Sequence, residues 1–298
     1  MRSSFLLLLT FLLGVTDIQA GSDFRVCAFN TQHFGESKSQ KSDVMQTLVK
    51  IITRCDVCLL QEVRDSKGKA LKLLLEHLKR YDTKHEYKAV ASERLGRSET
   101  YQEQYVFVYR TDTVTVADQY QYPDDKPGDI DAFSREPFVV RFRAPKTAIK
   151  EFVLIPQHTT PANTTKELDA LYDVLQHNVM LLGDFNAGCG YLAKKNRKRV
   201  RLITDQNLFW LIQENTDTTV RSSTSCSYDR SKSVDVLTLA VIFVFFIQAL
   251  LVSDHYPVEV LLKVVDSRGL DGGTSITSGN QFIALFVLSH VAFQILTR

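Results

Sequence analysis

Val179-Met180-Leu181-Leu182-Gly183-Asp184-Phe185-Asn186 is the stretch whose reading decides the rest of the chain. A continuous apolar run that closes on Gly and then Asp-x-Asn describes a buried strand delivering polar groups to the end of a sheet. Alternation along an extended backbone puts Asp184 and Asn186 on one side and Phe185 on the other, so a carboxylate and an amide can face one ligand. A metal ion or a phosphate suits that pair. Taken alone, the motif serves equally well as a strand running into an Asx turn, so its company has to decide.

The same grammar recurs on both sides of this strand. Phe24 to Phe29 reads as a first strand ending at Asn30, and Val57 to Leu60 as a second that runs into Gln61-Glu62. Val44, Leu48, Ile51 and Ile52 mark one face of the helix between them, and Leu71, Leu74, Leu75 and Leu78 give the next helix its core-facing stripe. Tyr101, Glu103 and Tyr105 share a face of a strand continuing to Tyr109. Phe138 to Phe142 and Phe152 to Ile155 are apolar, the latter ending at Gln157-His158. Asp229 stands in Ser227-Tyr228-Asp229-Arg230, and Asp254-His255 precedes a last strand over Val258 to Val265. Strands and amphipathic helices are interspersed, and the chemistry-bearing residues collect at strand ends.

The 298 residues carry a formal net charge of +2, which excludes general adhesion to polyanions and requires any nucleic-acid contact to come from a local basic face. Met1-Arg2-Ser3-Ser4, the apolar block Phe5 to Leu13 and Ile18-Gln19-Ala20 have the form of a secretory signal peptide over 1–20. Nothing repeats and no Pro/Gly-rich linker appears, so residues 21–265 read as one large domain. Five cysteines in an oxidising compartment leave at least one thiol unpaired within the molecule. Cys189 and Cys226 flank the Asn186 and Asp229 loops and are the expected bridge. Cys27 is expected to be a buried thiol, and Cys55 and Cys58 to be packing residues, because no second pair stands at zinc-finger spacing. Thr164 and Glu167 predict a capping box, and Asn163-Thr164-Thr165 is an acceptor for N-glycosylation at Asn163.

Six phrases carry a resemblance: Ala28-Phe29-Asn30, Leu60-Gln61-Glu62-Val63-Arg64-Asp65, Ser134-Arg135-Glu136-Pro137, Leu182-Gly183-Asp184-Phe185-Asn186-Ala187, Ser227-Tyr228-Asp229-Arg230 and Ser253-Asp254-His255-Tyr256-Pro257-Val258. In this order they resemble the deoxyribonuclease I family, over Phe24 to Val265. The resemblance implies a four-layer α/β sandwich of two packed mixed β-sheets flanked by helices, the endonuclease/exonuclease/phosphatase type. It implies a metal-dependent endonuclease that hydrolyses DNA phosphodiester bonds to 5′-phosphate products. By matched position, Asn30, Glu62, Asp184, Asn186 and Asp254 would form the Mg²⁺ and phosphate site. His158 would pair with Glu103 and His255 with Asp229, one pair activating water and the other protonating the leaving 3′ oxygen, with neither role assigned. Arg64, Tyr101 and Arg135 would sit along the DNA. Asp217-Thr218-Thr219 and the Asp129 to Glu136 region resemble the family's structural Ca²⁺ loops. Ala89 and Ala91 stand where larger side chains grip actin in the pancreatic-type enzyme, so actin binding is not expected; a monomer is.

Two stretches depart from the pattern, the first being the helix before the central strand, which is short because Leu175-Gln176-His177-Asn178 leaves little chain between Tyr172 and Val179. The second, Val234 to Val252, is almost wholly apolar, with only Asp235, Thr238 and Gln248 interrupting it. A bilayer span there would separate Asp229 from His255 and destroy the site, leaving either a buried segment in place of the family's own or an altered splice product or gene-model error. After Val265 the composition changes, and 266–298 is a small polar spacer and then an apolar tail from Phe282 to Leu296. It has the form of a GPI-attachment signal with Asp271-Gly272-Gly273-Thr274 at the cut, and is similar to the family's membrane-anchored member. A short transmembrane anchor is the alternative. The expected location is the secretory pathway and the cell surface or exterior, with the endoplasmic reticulum or lysosomal lumen also open. Besides a DNA hydrolase, two other functions fit. One is a catalytically impaired, membrane-anchored DNA-binding or surface protein; the other is a phosphodiesterase of this fold acting on sphingomyelin or inositol phosphates.

Overall fold

The computed structural model describes residues 24–128, 130–233, 243–244 and 251–265. The expected leader, the tail, Asp129 and most of the 234–252 run lie outside them. The first sheet is built on β1 (Phe24–Phe34) and β2 (Val57–Val63), which are parallel, so they need the crossover supplied by α1 (Glu36–Ser39) and α2 (Ser42–Ile52). β5 (Tyr101–Arg110) continues it antiparallel to β2, and β3 (Tyr87–Ala91) and β4 (Leu95–Ser98) both pair with β5. On the other side β1 takes β13 (Val258–Leu262), and β13 takes the two-residue β12 (Phe243–Val244). The second sheet runs β10 (Phe209–Trp210), β11 (Asp229–Ser233), β9 (Val179–Asp184), β8 (Glu151–Pro156), β7 (Phe138–Arg143) and β6 (Thr115–Gln121), with β8 and β9 parallel.

The two sheets pack face to face. Val26, Ala28, Val57, Leu59 and Phe107 of the first meet Phe138, Val140, Phe142, Leu154 and Leu182 of the second. The outer face of the first sheet is covered by α2 and by α3 (Lys69–Tyr81), through Leu48, Ile52, Leu74 and Leu78. The outer face of the second is covered by α4 (Thr164–Ala170), a following 3-10 turn (Leu171–Val174) and α6 (Arg201–Thr204). Four layers result, as expected. β2 and β9 are apolar on successive residues because each is covered on both faces, and this is why the pattern of the opening stretch lacks alternation.

Three local expectations are corrected. β1 continues past Phe29 to Phe34, with a bulge: Asn30 pairs with Gln61 and Phe34 with Val63, so β1 spends extra residues there. Cys27 is bonded to Cys55 with Cα atoms 6.1 Å apart, because the turn after α2 returns the chain beside β1; Cys58 alone is a free, buried thiol. Glu167 does not close a capping box. Asn163 precedes α4 without a side-chain cap, and the buried Glu167 carboxylate instead accepts from Ser134 Oγ, Thr160 N and Gln157 Nε2. Of the 234–252 run, Phe243–Val244 extends the first sheet and Val252 is buried in the core under α2 and α3. No helix of the described residues is long and apolar enough to cross a membrane.

β11 breaks the rule its neighbours obey. Asp-Arg-Ser-Lys-Ser is buried at every position, and Ser231 Oγ and Arg230 Nε find no hydrogen-bond partner among the described residues. Arg230 and Lys232 lie over the Trp210 ring at 4.3 and 4.4 Å, and Lys232 Nζ donates to Leu202 O. Burial pushes the Lys232 ammonium down to about 8 from 10.5. Holding that charge in the folded state therefore costs stability at neutral pH. In the unfolded chain Lys232 keeps its proton up to its ordinary pKa, so between pH 8 and 10.5 the folded state binds fewer protons and gains stability as pH rises. Lys232→Leu is expected to raise the denaturation midpoint at pH 7, and the gap to the wild type should narrow as both are measured towards pH 10.5. A gap constant with pH would refute the cause.

Gly183 lies at φ +126°, and a Cβ there would stand 2.5 Å from Gln61 Nε2 and 2.7 Å from Gln157 O. Gly183→Ala combines backbone strain with overpacking and is expected to lose on the order of 3 kcal/mol in denaturant unfolding. A loss below about 1 kcal/mol would mean that the strand ends can spread.

Candidate active site

One edge of the sandwich gathers the C-terminal ends of β1, β2, β8 and β9 with the N-terminal ends of β5, β11 and β13. Asp184 ends β9 directly opposite Asp229 on β11. Its neighbour Gln61, fully buried, donates from Nε2 to Gln157 O and accepts at Oε1 from Asp184 N, thereby joining β2 to both β8 and β9. Asn30 Nδ2 donates to Glu62 Oε1 at 3.0 Å and to Asp184 Oδ2 at 3.2 Å, so carboxylates from the two sheets converge on one amide.

Two histidines flank Asp184. His158 Nδ1 is 2.6 Å from Glu103 Oε1, and its Nε2 is 3.5 Å from Asp184 Oδ2. His255 Nδ1 is 2.7 Å from Asp229 Oδ2, and its Nε2 is 3.6 Å from that same Asp184 oxygen. Both pairs cross from one sheet to the other; the His158 pair is buried, and the His255 pair is part-buried. Burial opposes charge on the His158 ring, but the Glu103 carboxylate outweighs it and holds the imidazole above its usual pKa. His255 is likewise opposed by burial and lifted by Asp229 and Asp184, up to about 10. Burial raises the Asp229 carboxyl too, against the lowering effect of the His255 ring beside it.

Supporting groups fix these side chains. Tyr105 OH accepts from His158 N, and Thr218 Oγ1 accepts from Asp229 N. Arg135 forms an ion pair with Glu103 at 2.8 Å and donates from Nη1 to His158 O, with 11% of its side chain exposed. It braces the His158 pair rather than standing on an open groove wall. Asn186 lies at φ +48°, its N–H donating to Asp184 Oδ1 and its Nδ2 to Thr159 O. The Asx turn and the polar pair are therefore one object. Asp254 makes no side-chain hydrogen bond among the described residues and acts by charge on His255 and Lys38.

On the rim, the Arg64 guanidinium lies 4.3 Å over the Tyr101 ring, and Tyr101 OH meets His33 Nε2 at 2.9 Å. His33 also reaches Glu62 Oε2 at 3.3 Å. Sequence reasoning missed His33, Gln61, Tyr105, Thr218 and Lys38. His33 was findable only as a histidine three residues past a strand-end Asn, because the bulge with Gln32 and His33 at positive φ sets its direction. Cys189 and Cys226 are bonded. Asn163 is exposed. Asp124, Asp131 and Glu136 bring carboxylate oxygens within 4.8 Å of one another; Asp131 and Glu136 belong to the stretch marked as a Ca²⁺ loop, and Asp124 precedes it. Asp217 Oδ1 instead accepts from Thr219 and Cys226 within its own loop.

Residues 27–255 match the model of the Endonuclease/Exonuclease/phosphatase family. The chain is 43% identical to human deoxyribonuclease gamma, over 85% of this chain and 90% of that one. It is 44% identical to human deoxyribonuclease-1-like 1, over 88% of this chain and 91% of the relative. The chain belongs to the Endonuclease/Exonuclease/phosphatase family, in its deoxyribonuclease I branch. A family protein of known structure from Leptotrichia buccalis shares the fold at a TM-score of 0.60 and 16% identity, covering 80% of this chain and 99% of its own. The two human relatives differ by one percentage point of identity, 43% against 44%, so identity does not single out one member of the branch.

Lys38 is the clamp of this family site. Its Nζ donates to Thr31 O, Gln32 O and Val252 O, tying the β1 bulge to the segment that leads into His255. Lys38→Met keeps the stem and removes all three donors. Amide exchange at Gln32, His33 and His255 is expected to quicken by roughly tenfold or more, with the core strands unchanged. Unchanged exchange at those amides would show that the bulge holds itself.

Proposed function

We propose that this chain is a metal-dependent endonuclease that hydrolyses DNA phosphodiester bonds to 5′-phosphate and 3′-hydroxyl ends. One observation carries it: two His–carboxylate pairs present their Nε2 atoms, at 3.5 and 3.6 Å, to a single oxygen of Asp184. A phosphodiester seated there meets a proton acceptor on one side and a proton donor on the other. Water adds to phosphorus, one imidazole taking its proton; the P–O3′ bond breaks, and the other imidazole protonates the departing O3′. Glu103 and Asp229 fix the tautomer and orientation of their rings. Either ring can take either role.

The donor set fits a hard divalent cation. Glu62, Asp184, Asn30 and Asn186 offer oxygens, and two carboxylates converge where only an amide N–H now separates them. Mg²⁺ held there, with Asp254 nearby, supplies charge stabilisation to the phosphate oxygens. Asp124, Asp131 and Glu136 are suited to Ca²⁺. Arg64 and Tyr101 present a cation and a ring to the sugar-phosphate backbone, giving selection by shape. The routing belongs to the same proposal: a leader over 1–20, a catalytic domain over 21–265, and a spacer and tail over 266–298 that attach a monomer to the outer membrane face through a lipid. The composition of the two ends supports it, as does an acceptor for a glycan at exposed Asn163.

A second function, a surface protein that binds DNA without cutting it, is favoured by the buried polar strand β11, which carries Asp229. Plasmid nicking separates the two. The full chain is expected to nick supercoiled DNA with Mg²⁺ and Ca²⁺ and to stop in EDTA. His158→Ala and His255→Ala should each lower the rate by roughly 10²–10⁴-fold. A folded chain that binds duplex DNA and never nicks it would move the binding function ahead.

A further inference from the structure

Residues 194–199 read Lys-Lys-Asn-Arg-Lys-Arg in a chain whose net charge is only +2. Lys194, Lys195, Lys198 and Arg199 are exposed. Arg197 is taken by Glu214, and the next cation, Arg201, is held by Asp169 and Asp173. Lys195, Lys198 and Arg199 form no ion pair among the described residues, and Lys194 feels Glu214 only at range. A basic run is most often a solvated face on a mobile loop, but this one is pinned. Leu192 and Val200, both buried, anchor its two ends, and α5 (Lys194–Arg197) with the turn bonds Asn196 N to Ala193 O and Val200 N to Arg197 O fixes the backbone between them.

The strip is also tied to the active-site edge. It follows the Asn186 loop, which the Cys189–Cys226 bond fastens to the segment leading into Asp229. Rings connect the two: His255 and Tyr228 have centroids 6.3 Å apart, and Tyr228 stacks on Tyr191 at 5.3 Å. Tyr191 is 45% exposed and stands three residues before Lys194. An anionic polymer leaving the histidines along these rings therefore arrives at unpaired cations on a rigid support, where little conformational entropy is lost on contact.

We propose that Lys194, Lys195, Lys198 and Arg199 form a second phosphate track, which holds the backbone of duplex DNA beyond the cleavage site and lengthens the footprint of the enzyme. This rests on the nuclease function above. Each phosphate neutralised releases counterions, so the track adds to the salt dependence of binding without adding sequence preference. Short duplexes that end at the cleft do not reach it.

The full-length chain with Lys194→Gln, Lys195→Gln, Lys198→Gln and Arg199→Gln is compared with wild type on duplexes of about 8 and about 30 base pairs, across a salt series. On the long duplex, the slope of log affinity against log salt is expected to fall by roughly two to four, with affinity down roughly tenfold to hundredfold near physiological salt. The loss on the short duplex should be much smaller. Circular dichroism and the melting midpoint show that the variant is folded, and Arg197→Gln serves as a control whose cation is already taken. An unchanged slope on the long duplex in a folded variant overturns the track. So does a loss confined to binding of phosphatidylserine vesicles, which would assign the strip to an anionic membrane. A wild-type chain that neither binds nor cuts either duplex would instead sink the nuclease function itself.

Discussion

The buried amide of Gln61 is the constraint on which the site depends. A β-sandwich core fixes the distance between its sheets well and their mutual slide poorly, because apolar contacts carry no direction. Gln61 supplies direction, giving one hydrogen bond to Gln157 O and taking one from Asp184 N. Gly183 lets the strands come close enough for both, since any side chain there would stand where the amide stands. What this registration aligns is the chemistry. Glu103 and His158 come from different sheets, as do Asp229 and His255, and as do Glu62 and Asp184. A slide of even about 1 Å would break all of these contacts at once, so the fold's weakest degree of freedom is the one most tightly stitched.

Charge explains why so much polar structure is affordable at a buried edge. Asp184 sits between two imidazoles that their own carboxylates hold above the ordinary histidine pKa, so the anion is partly compensated. The amide of Asn30 separates Asp184 from Glu62, and the Lys38 ammonium, driven down by burial, is drawn back up by Glu62 and Asp254. Backbone strain collects in the same place: Gln32, His33, Glu62, Asn186 and Cys189 all carry positive φ. Strain of this kind persists only where surrounding contacts over-determine it, and here the disulfide, the Lys38 clamp and the Asx turn do so.

Much of this was legible in the sequence, because a doubly covered strand announces itself as an unbroken apolar run and its polar end is then conspicuous. Val57 to Glu62 and Val179 to Asn186 were readable for that reason, whereas the four-layer arrangement came from the family resemblance and not from the pattern. The resemblance named the residues that the structure brings together as the two His–acid pairs. What was not legible depends on departures from regular geometry. The β1 bulge turns His33 toward Glu62 against simple alternation, and Lys38 acts on carbonyls, which leave no trace in residue identity. The Cys27–Cys55 pairing needed the return of the chain after α2, and Glu167 was misread because its partners, Ser134 and Gln157, lie on other loops.

β11 remains the place where local sequence and global fold disagree. Its neighbour β9 is apolar from Val179 to Leu182, whereas β11 places Arg230, Ser231, Lys232 and Ser233 in buried positions. Natural strands that violate the pattern usually do so for function, and Asp229 at its head has that excuse. Ser231 and Lys232 have none, for neither touches the site. The pairing of Asp229 with Asp184 therefore relies on the ladder bonds to β9, the Thr218 hydroxyl and the disulfide beside it rather than on side-chain packing along the strand. The His255 half of the site thus stands on a weaker foundation than the His158 half, which is braced by Arg135, Tyr105 and apolar β8. Local opening should begin at β11 and reach His255 before it reaches His158.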